Sequence, residues 1–277
     1  AASDVYKRQE LTLLLTIAIA WLAVSLLMLM IWWLQRRLDD AGIVDVAWSY
    51  AVGLLAILFC LTATGDPTRR WVVALFAGLW SLRLGTYVLY RVLKFPEDGR
   101  YVTLKREAGE QAQKKLLIFY QYQAFGAVLF SLPMLMGAQN SADWGMLDWL
   151  GVSIWLVAAI GEAIADRQLA NFRRQDSNRG AVCRVGLWKY SRHPNYFFEW
   201  LHWWAYVAFA WQIPWGGWQG WVSLLGPAAM YYFINFVTGI PPTESQALQS
   251  RGDAYRQYQQ STSSFFPWLP KKESITS

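Results

Sequence analysis

LTLLLTIAIAWLAVSLLMLMIWWL, residues 11–34, runs for 24 positions without a charged side chain. About 20 apolar residues suffice to cross the hydrocarbon core of a bilayer. The run is too long for the core of a signal peptide, and further apolar runs follow it. Together with 11–34, the stretches near 41–62, 71–92, 116–137, 147–166, 194–213 and 219–240 give a reading of about seven spans. The expected fold is an all-α polytopic membrane bundle. The first nine residues, AASDVYKRQ, read as a scar of cloning or sequencing, and 10–277 as one membrane-embedded domain.

Composition agrees with this. Hydrophobic residues make up 55% of the 277 and the mean hydropathy is +0.18. Charged residues are 16%, against about 25% in a soluble domain. On the seven-span layout the loops after spans one, three and five, with the tail, carry 20 Lys and Arg. The opposite side carries 4, namely Lys7, Arg8, Arg69 and Arg70. Such a bias predicts the N-terminus outside and the C-terminus in the cytoplasm. It also explains the net charge of +6 as topology rather than nucleic-acid binding. Trp32, Trp33, Trp48, Trp71, Trp144, Trp149, Trp188, Trp215, Trp218 and Trp221 fall near span ends and read as an aromatic belt.

Two cysteines, Cys60 and Cys183, fall on opposite predicted faces, so no disulfide is expected. Two His and two Cys so scattered give no metal-ligand spacing. Neither G-x-G-x-x-G nor a P-loop is present.

Ionisable groups in membrane helices cost at least ~2.5–3.5 kcal/mol and point to function. Asp45, Arg83, Glu162, Asp166, Glu199 and His202 are such groups. In SRHPNYFFEWLHWW, residues 191–204, the spacing of Asn195, Glu199 and His202 places them on one helix face, with Tyr196 beside them. Pro194 opens that helix, whose N-terminus favours an anion. Arg184, Lys189 and Arg192 lie just outside; Arg192 and His193 read equally well as headgroup anchors. Glu162 and Asp166 stand one turn apart, followed by the basic loop of Arg167, Arg173, Arg174 and Arg179. The tail, about 243–260, reads as one helix with Glu244, Arg251, Tyr255 and Tyr258 on one face. It would be either a lid or an amphipathic surface helix.

GLWKYSRHPNYFFEWLHWW, then YRQYQQSTSSFFPWLPK, resembles the C-terminal half of the steroid 5-alpha-reductase superfamily, above all its bacterial members. VDVAWSYAVG, WSLRLGTYVLYR, EDGRY and GEAIADRQLANFRR extend the resemblance upstream to about residue 40. It implies a seven-helix enzyme of the bacterial inner membrane, binding NADPH on its cytoplasmic side. The implied cofactor residues are Arg100, Asp166, Arg173, Tyr190, His193, Asn195, Tyr196, Glu199, Glu244, Arg251 and Tyr255. The implied catalytic residues are Asp45, Tyr101 and Glu199. Two positions depart from the family: Trp80 stands near the expected substrate Tyr, and Phe198 where relatives usually carry Gly.

The implied reaction reduces the C=C of an enone in a steroid-like lipid that enters from the bilayer. A buried, neutral Asp45 would donate to the ketone oxygen; the plainer alternative pairs it with Arg36, Arg37 or Arg83. An S-adenosylmethionine-dependent methyltransferase acting on a lipid or prenylated substrate is the second reading. A non-catalytic lipid binder is the third. Membrane lipid is an expected partner; nucleic acid and metal are not.

Overall fold

The computed structural model describes residues 2–212 and 216–271, with side chains from residue 11 onward. Ile213 of the expected sixth span, the belt residue Trp215, Lys272 and the side chains of Lys7 and Arg8 lie outside the described residues. The described chain is helical, apart from an isolated bridge between Ser191 and Ser263. Six helical segments are long and apolar enough to cross a membrane: Leu11–Leu38, Ile43–Thr62, Pro67–Lys94, Gly99–Gln139, Met146–Arg174 and Gly217–Arg251. The expected sixth span, over 194–213, is a helix of 17 residues, Pro194–Ala210, too short to stand with those six. The chain forms two compact units, Ala1–Asp143 and Trp144–Ser277.

The first unit holds α1 (Ala2–Leu38), α2 (Ile43–Thr62), α3 (Pro67–Lys94), α4 (Gly99–Ala108) and α5 (Ala112–Gln139). Residues 2–9 continue α1 rather than standing apart from it. α2 packs against α3 and α5, and α1 packs against α5. The helix ends follow from local chemistry. Asp66 caps α3 by accepting from the Arg69 amide at 2.8 Å, with Pro67 in the first turn. Asp98 caps α4 through the Arg100 amide at 2.9 Å. Between α2 and α3 a polar contact crosses the apolar seam: the Ser81 hydroxyl donates to the Ser49 carbonyl at 2.8 Å.

Arg69, 1% exposed, is not the solvated outer charge that topology alone suggests. Its guanidinium donates to the carbonyls of Asn140 at 2.6 Å, Ala142 at 3.0 Å and Asp143 at 3.4 Å. With the Asp66 amide, which also donates to the Asn140 carbonyl at 3.0 Å, it ties the turn leaving α5 to the start of α3.

The second unit holds α6 (Met146–Arg174), α7 (Pro194–Ala210), α8 (Gly217–Ser223), α9 (Leu225–Tyr232), α10 (Ile240–Arg251) and α11 (Asp253–Ser261). A π-helical stretch, Phe233–Val237, follows α9. α6 packs along α7, and a short 3-10 turn, Gly186–Lys189, packs on α6. The single tail helix expected over 243–260 is two helices. Gly252 breaks it with φ +53, a backbone state that side chains disfavour.

The tryptophan belt is partly reassigned. Trp33, Trp71, Trp149, Trp218 and Trp221 are exposed. Trp188 is buried and its indole donates to the Ala165 carbonyl at 2.9 Å. Trp48 packs edge-on against Phe130 and Trp80, with centroids 5.5 and 6.2 Å away.

Replacing Arg69 by Met should remove its bonds to three carbonyls of the α5 turn, of which Asn140 keeps the Asp66 amide at 3.0 Å. Each hydrogen bond lost is worth about 0.5–1.5 kcal/mol net, so a drop in melting temperature in detergent is expected, while Arg70→Met should cost less.

Candidate functional site

Two polar clusters stand out, one in each unit. In the first unit, Asp45 lies in the opening turn of α2 and α4 brings two donors to it. The Tyr101 hydroxyl donates to Oδ1 at 2.8 Å, and Arg100 Nη2 to Oδ2 at 3.1 Å. Arg100 Nε also reaches Asp98 Oδ1 at 3.2 Å, and Arg91 pairs with the same carboxylate. Burial alone would raise the Asp98 carboxyl, yet the Arg100 hydrogen bonds and the charges of Arg100 and Arg91 outweigh it and hold the group low. Tyr101 is 2% exposed. Both Asp45 oxygens therefore accept from side chains of α4. Its ion-pair partner is Arg100. Arg36 and Arg37 instead lie over the rings of Trp32 and Trp33.

One turn on from Asp45, the Trp48 indole nitrogen is buried and has no hydrogen-bond partner. A buried donor without an acceptor is costly and rare. Trp80 is 4% exposed and packs on Trp48, so the position expected to carry a phenol is part of the aromatic core.

In the second unit the organising group is Glu244 of α10. Its Oε1 accepts from Arg192 Nε at 2.7 Å, His193 Nε2 at 3.2 Å and the Tyr255 hydroxyl at 3.4 Å. Its Oε2 accepts from Gln259 Nε2 at 2.7 Å. Arg192 also donates to the carbonyls of Gln259 and Thr262. The sharp bend at Gly252 is what lets α11 fold back so that Tyr255 and Gln259 share one carboxylate with α7's leading residues. Arg192, which reads in the sequence as well for a headgroup anchor, is therefore a structural cation, its side chain 10% exposed. Tyr258 donates to the Ser191 and Trp188 carbonyls, and Ser191 Oγ to the Phe265 carbonyl at 2.8 Å.

Of the other residues singled out in the sequence, Asn195, Glu199 and His202 do share a face of α7. The Asn195 amide donates to Asp166 Oδ1 at 3.2 Å, but its own Oδ1 is buried without a donor. His202 Nδ1 meets the Glu199 carbonyl at 2.6 Å, with the Glu199 carboxylate at 3.9 Å. Tyr196 stacks on His193, ring planes 8° apart, and its hydroxyl lies 3.2 Å from Thr243 Oγ1. Arg251 Nε donates to the Ala181 carbonyl at 3.1 Å. Tyr190 is 37% exposed, and its carbonyl accepts from the Trp268 amide at 2.9 Å. Arg173 is exposed in the last turn of α6. Phe198 does not crowd the unit, because Gly161 of α6 leaves its ring room: a Cβ there would stand 2.4 Å from it.

Sequence reasoning missed Gln259, Trp48 and the pairing of Asp45 with Arg100. Gln259 had a signal, standing four residues after Tyr255; Trp48 had one in being a turn from Asp45. Among the described residues no group of His, Cys, Asp and Glu could hold a metal ion, and Cys60 and Cys183 are both free thiols.

A family model described as protein of unknown function (DUF1295) matches residues 31–262, a span that contains both clusters. An uncharacterized protein of Schizosaccharomyces pombe is 23% identical over 276 aligned positions, covering 86% of this chain and 76% of its own. No solved structure matches.

Removing Glu244 strands the Arg192 charge. Breaking a buried pair from one side costs about 3–5 kcal/mol, so Glu244→Ala should lower the melting temperature strongly and expose residues 252–271 to protease, with Glu244→Gln milder. His193 adds a pH signature. Burial pushes its imidazole below the ordinary 6.5, Glu244 opposes this, and Arg192 adds to it. The fold thus favours the neutral ring, donating from Nε2. Its share of stability is full above 6.5 and is lost as pH falls toward the folded value. Melting temperatures from pH 7.5 to 5 should fall less steeply in His193→Gln than in the wild type.

Proposed function

The chain belongs to the DUF1295 family, and from the chemistry of its two clusters we propose that it is an NADPH-dependent membrane reductase of conjugated C=C bonds in steroid-like lipids. The observation that carries the reading is the buried Asn195 Oδ1 with no donor, in the first turn of α7. Such an oxygen calls for an N–H from a ligand, and a nicotinamide carboxamide offers one. The start of a 17-residue helix favours a phosphate nearby. The exposed Arg173 suits a 2′-phosphate.

The fit is selective. Asn195, Asp166 and Arg173 keep the ligand-facing role that the resemblance to the steroid 5-alpha-reductase superfamily suggests. Glu244, His193 and Tyr255 satisfy one another, and their part in this reading is to fix α10 and α11 against the head of α7. In the bacterial inner membrane these groups would face the cytoplasm.

When bound, NADPH supplies a hydride. The chain's own residues have to stabilise the negative charge that gathers on the ketone oxygen. Both Asp45 oxygens are already engaged within the chain, by Tyr101 and Arg100, so the ketone needs a further donor. Within the first unit, Trp48 has a buried N–H and no acceptor, and is the donor proposed for a ketone oxygen. Asp45 holds Arg100 and Tyr101 in place as a positioning carboxylate.

NADPH should raise the melting temperature in detergent more than NADH or S-adenosylmethionine. Arg173→Ala should narrow the gap between the two nucleotides. Asn195→Ala should weaken NADPH about 2- to 10-fold, the worth of one net hydrogen bond. Stabilisation by S-adenosylmethionine alone would favour the methyltransferase. With a 3-oxo-4-ene steroid, Trp48→Phe should keep the fold and slow NADPH oxidation about 100-fold. Unchanged turnover per folded molecule would remove Trp48 from the mechanism.

A further inference from the structure

Val157, Ile160, Ile164 and Gln168 form one stripe of α6, spaced by three or four residues, about 16 Å from end to end at 1.5 Å per residue. The first three are 56%, 58% and 44% exposed. The stripe floors a groove of about 530 Å³, within the range of small-molecule sites. The Phe198 ring, seated on Gly161, forms one wall.

The far end is polar. The Leu187 amide donates to Gln168 Oε1 at 2.9 Å, and this, with the Trp188–Ala165 bond, docks the Gly186–Lys189 turn on α6. Docking brings Lys189 and Tyr190 to the Gln168 end of the lining. Lys189 is exposed, is the one charged residue of the lining, and makes no ion pair or hydrogen bond among the described residues.

We propose that this groove seats one anionic phospholipid, an acyl chain along the α6 stripe and its phosphate at Lys189. A plain lipid-facing helix surface solvates any lipid. An apolar trench ending in an unpaired cation selects by charge. A peptide would gain little here, since α6 has its backbone groups bonded within the helix and offers no edge. Tyr190 beside the lysine suits the headgroup level. The site shares Tyr190 with the implied cofactor residues but involves neither Asn195, Asp166 and Arg173 nor the Glu244 cluster, so its test does not depend on the cofactor reading.

The test is native mass spectrometry of the full chain, reconstituted in equimolar phosphatidylglycerol and phosphatidylcholine and extracted in mild detergent. The wild type should retain one phosphatidylglycerol, favoured about five-fold, the factor that one lysine facing an anionic headgroup supplies. Lys189→Glu should abolish the preference and Lys189→Arg should keep it. Ile160→Trp should fill the groove and lower retention of both lipids. Each changes an exposed side chain, and an unchanged melting temperature in lipid-free detergent verifies the fold. Equal retention of the two lipids by the wild type, an undiminished preference in Lys189→Glu, or full retention in Ile160→Trp would each overturn the proposal.

Discussion

The carboxylate of Glu244, on α10, collects four side-chain donors from two other parts of the chain: Arg192 and His193 before α7, Tyr255 and Gln259 from α11. A charge this enclosed is tolerated only when paired and fully hydrogen-bonded. Each donor is itself tied to something else. Arg192 bonds the end of α11, His193 stacks on Tyr196, and Tyr255 packs on Tyr258 in a small core with Ala247. The C-terminal helices are short, and α11 in particular is polar; alone they would be marginal. The carboxylate makes them part of the second unit.

The same rule organises the first unit at a different residue. Asp45 stands in the first turn of an apolar helix and is matched by Arg100 and Tyr101 from α4. Asp98 extends the chain of charges to Arg91. Within each unit the named charges are thus matched by polar groups of that unit. Asn195 Oδ1 and Trp48 Nε1 are among the buried atoms without a partner, as are Ser25 Oγ and Trp204 Nε1, and Lys189 makes no ion pair among the described residues. Asn195 and Trp48 underlie the proposed chemistry, and Lys189 the proposed lipid seat.

Phe198 shows how such readings change with context. By sequence it is bulk where relatives of the resembled superfamily usually have Gly. In the fold its ring lies over Gly161, so the small residue is supplied by α6, and the ring becomes the wall of a groove.

The sequence by itself determined the helical class, the apolar segments, and the start of α7 at Pro194. Those follow from local rules: a run of apolar side chains needs a helix to satisfy its backbone in lipid, and proline fits a first turn. It also determined that Asn195, Glu199 and His202 share a face, since 3.6-residue periodicity is a property of the chain alone. Tertiary structure alone decided which charges meet. Arg192 and Glu244 are 52 residues apart, and Asp45 and Arg100 are 55. Nothing local marks Arg100 as an ion-pair partner of Asp45; the placement of α4 does. Likewise Gly252 reads in sequence as a tolerable helix residue, and only the fold shows it at φ +53 between α10 and α11, with Tyr255 and Gln259 beyond it bonded to Glu244 before it. Side-chain periodicity reports which face an element buries, whereas the identity of a buried ion's partner depends on where separate elements come to rest.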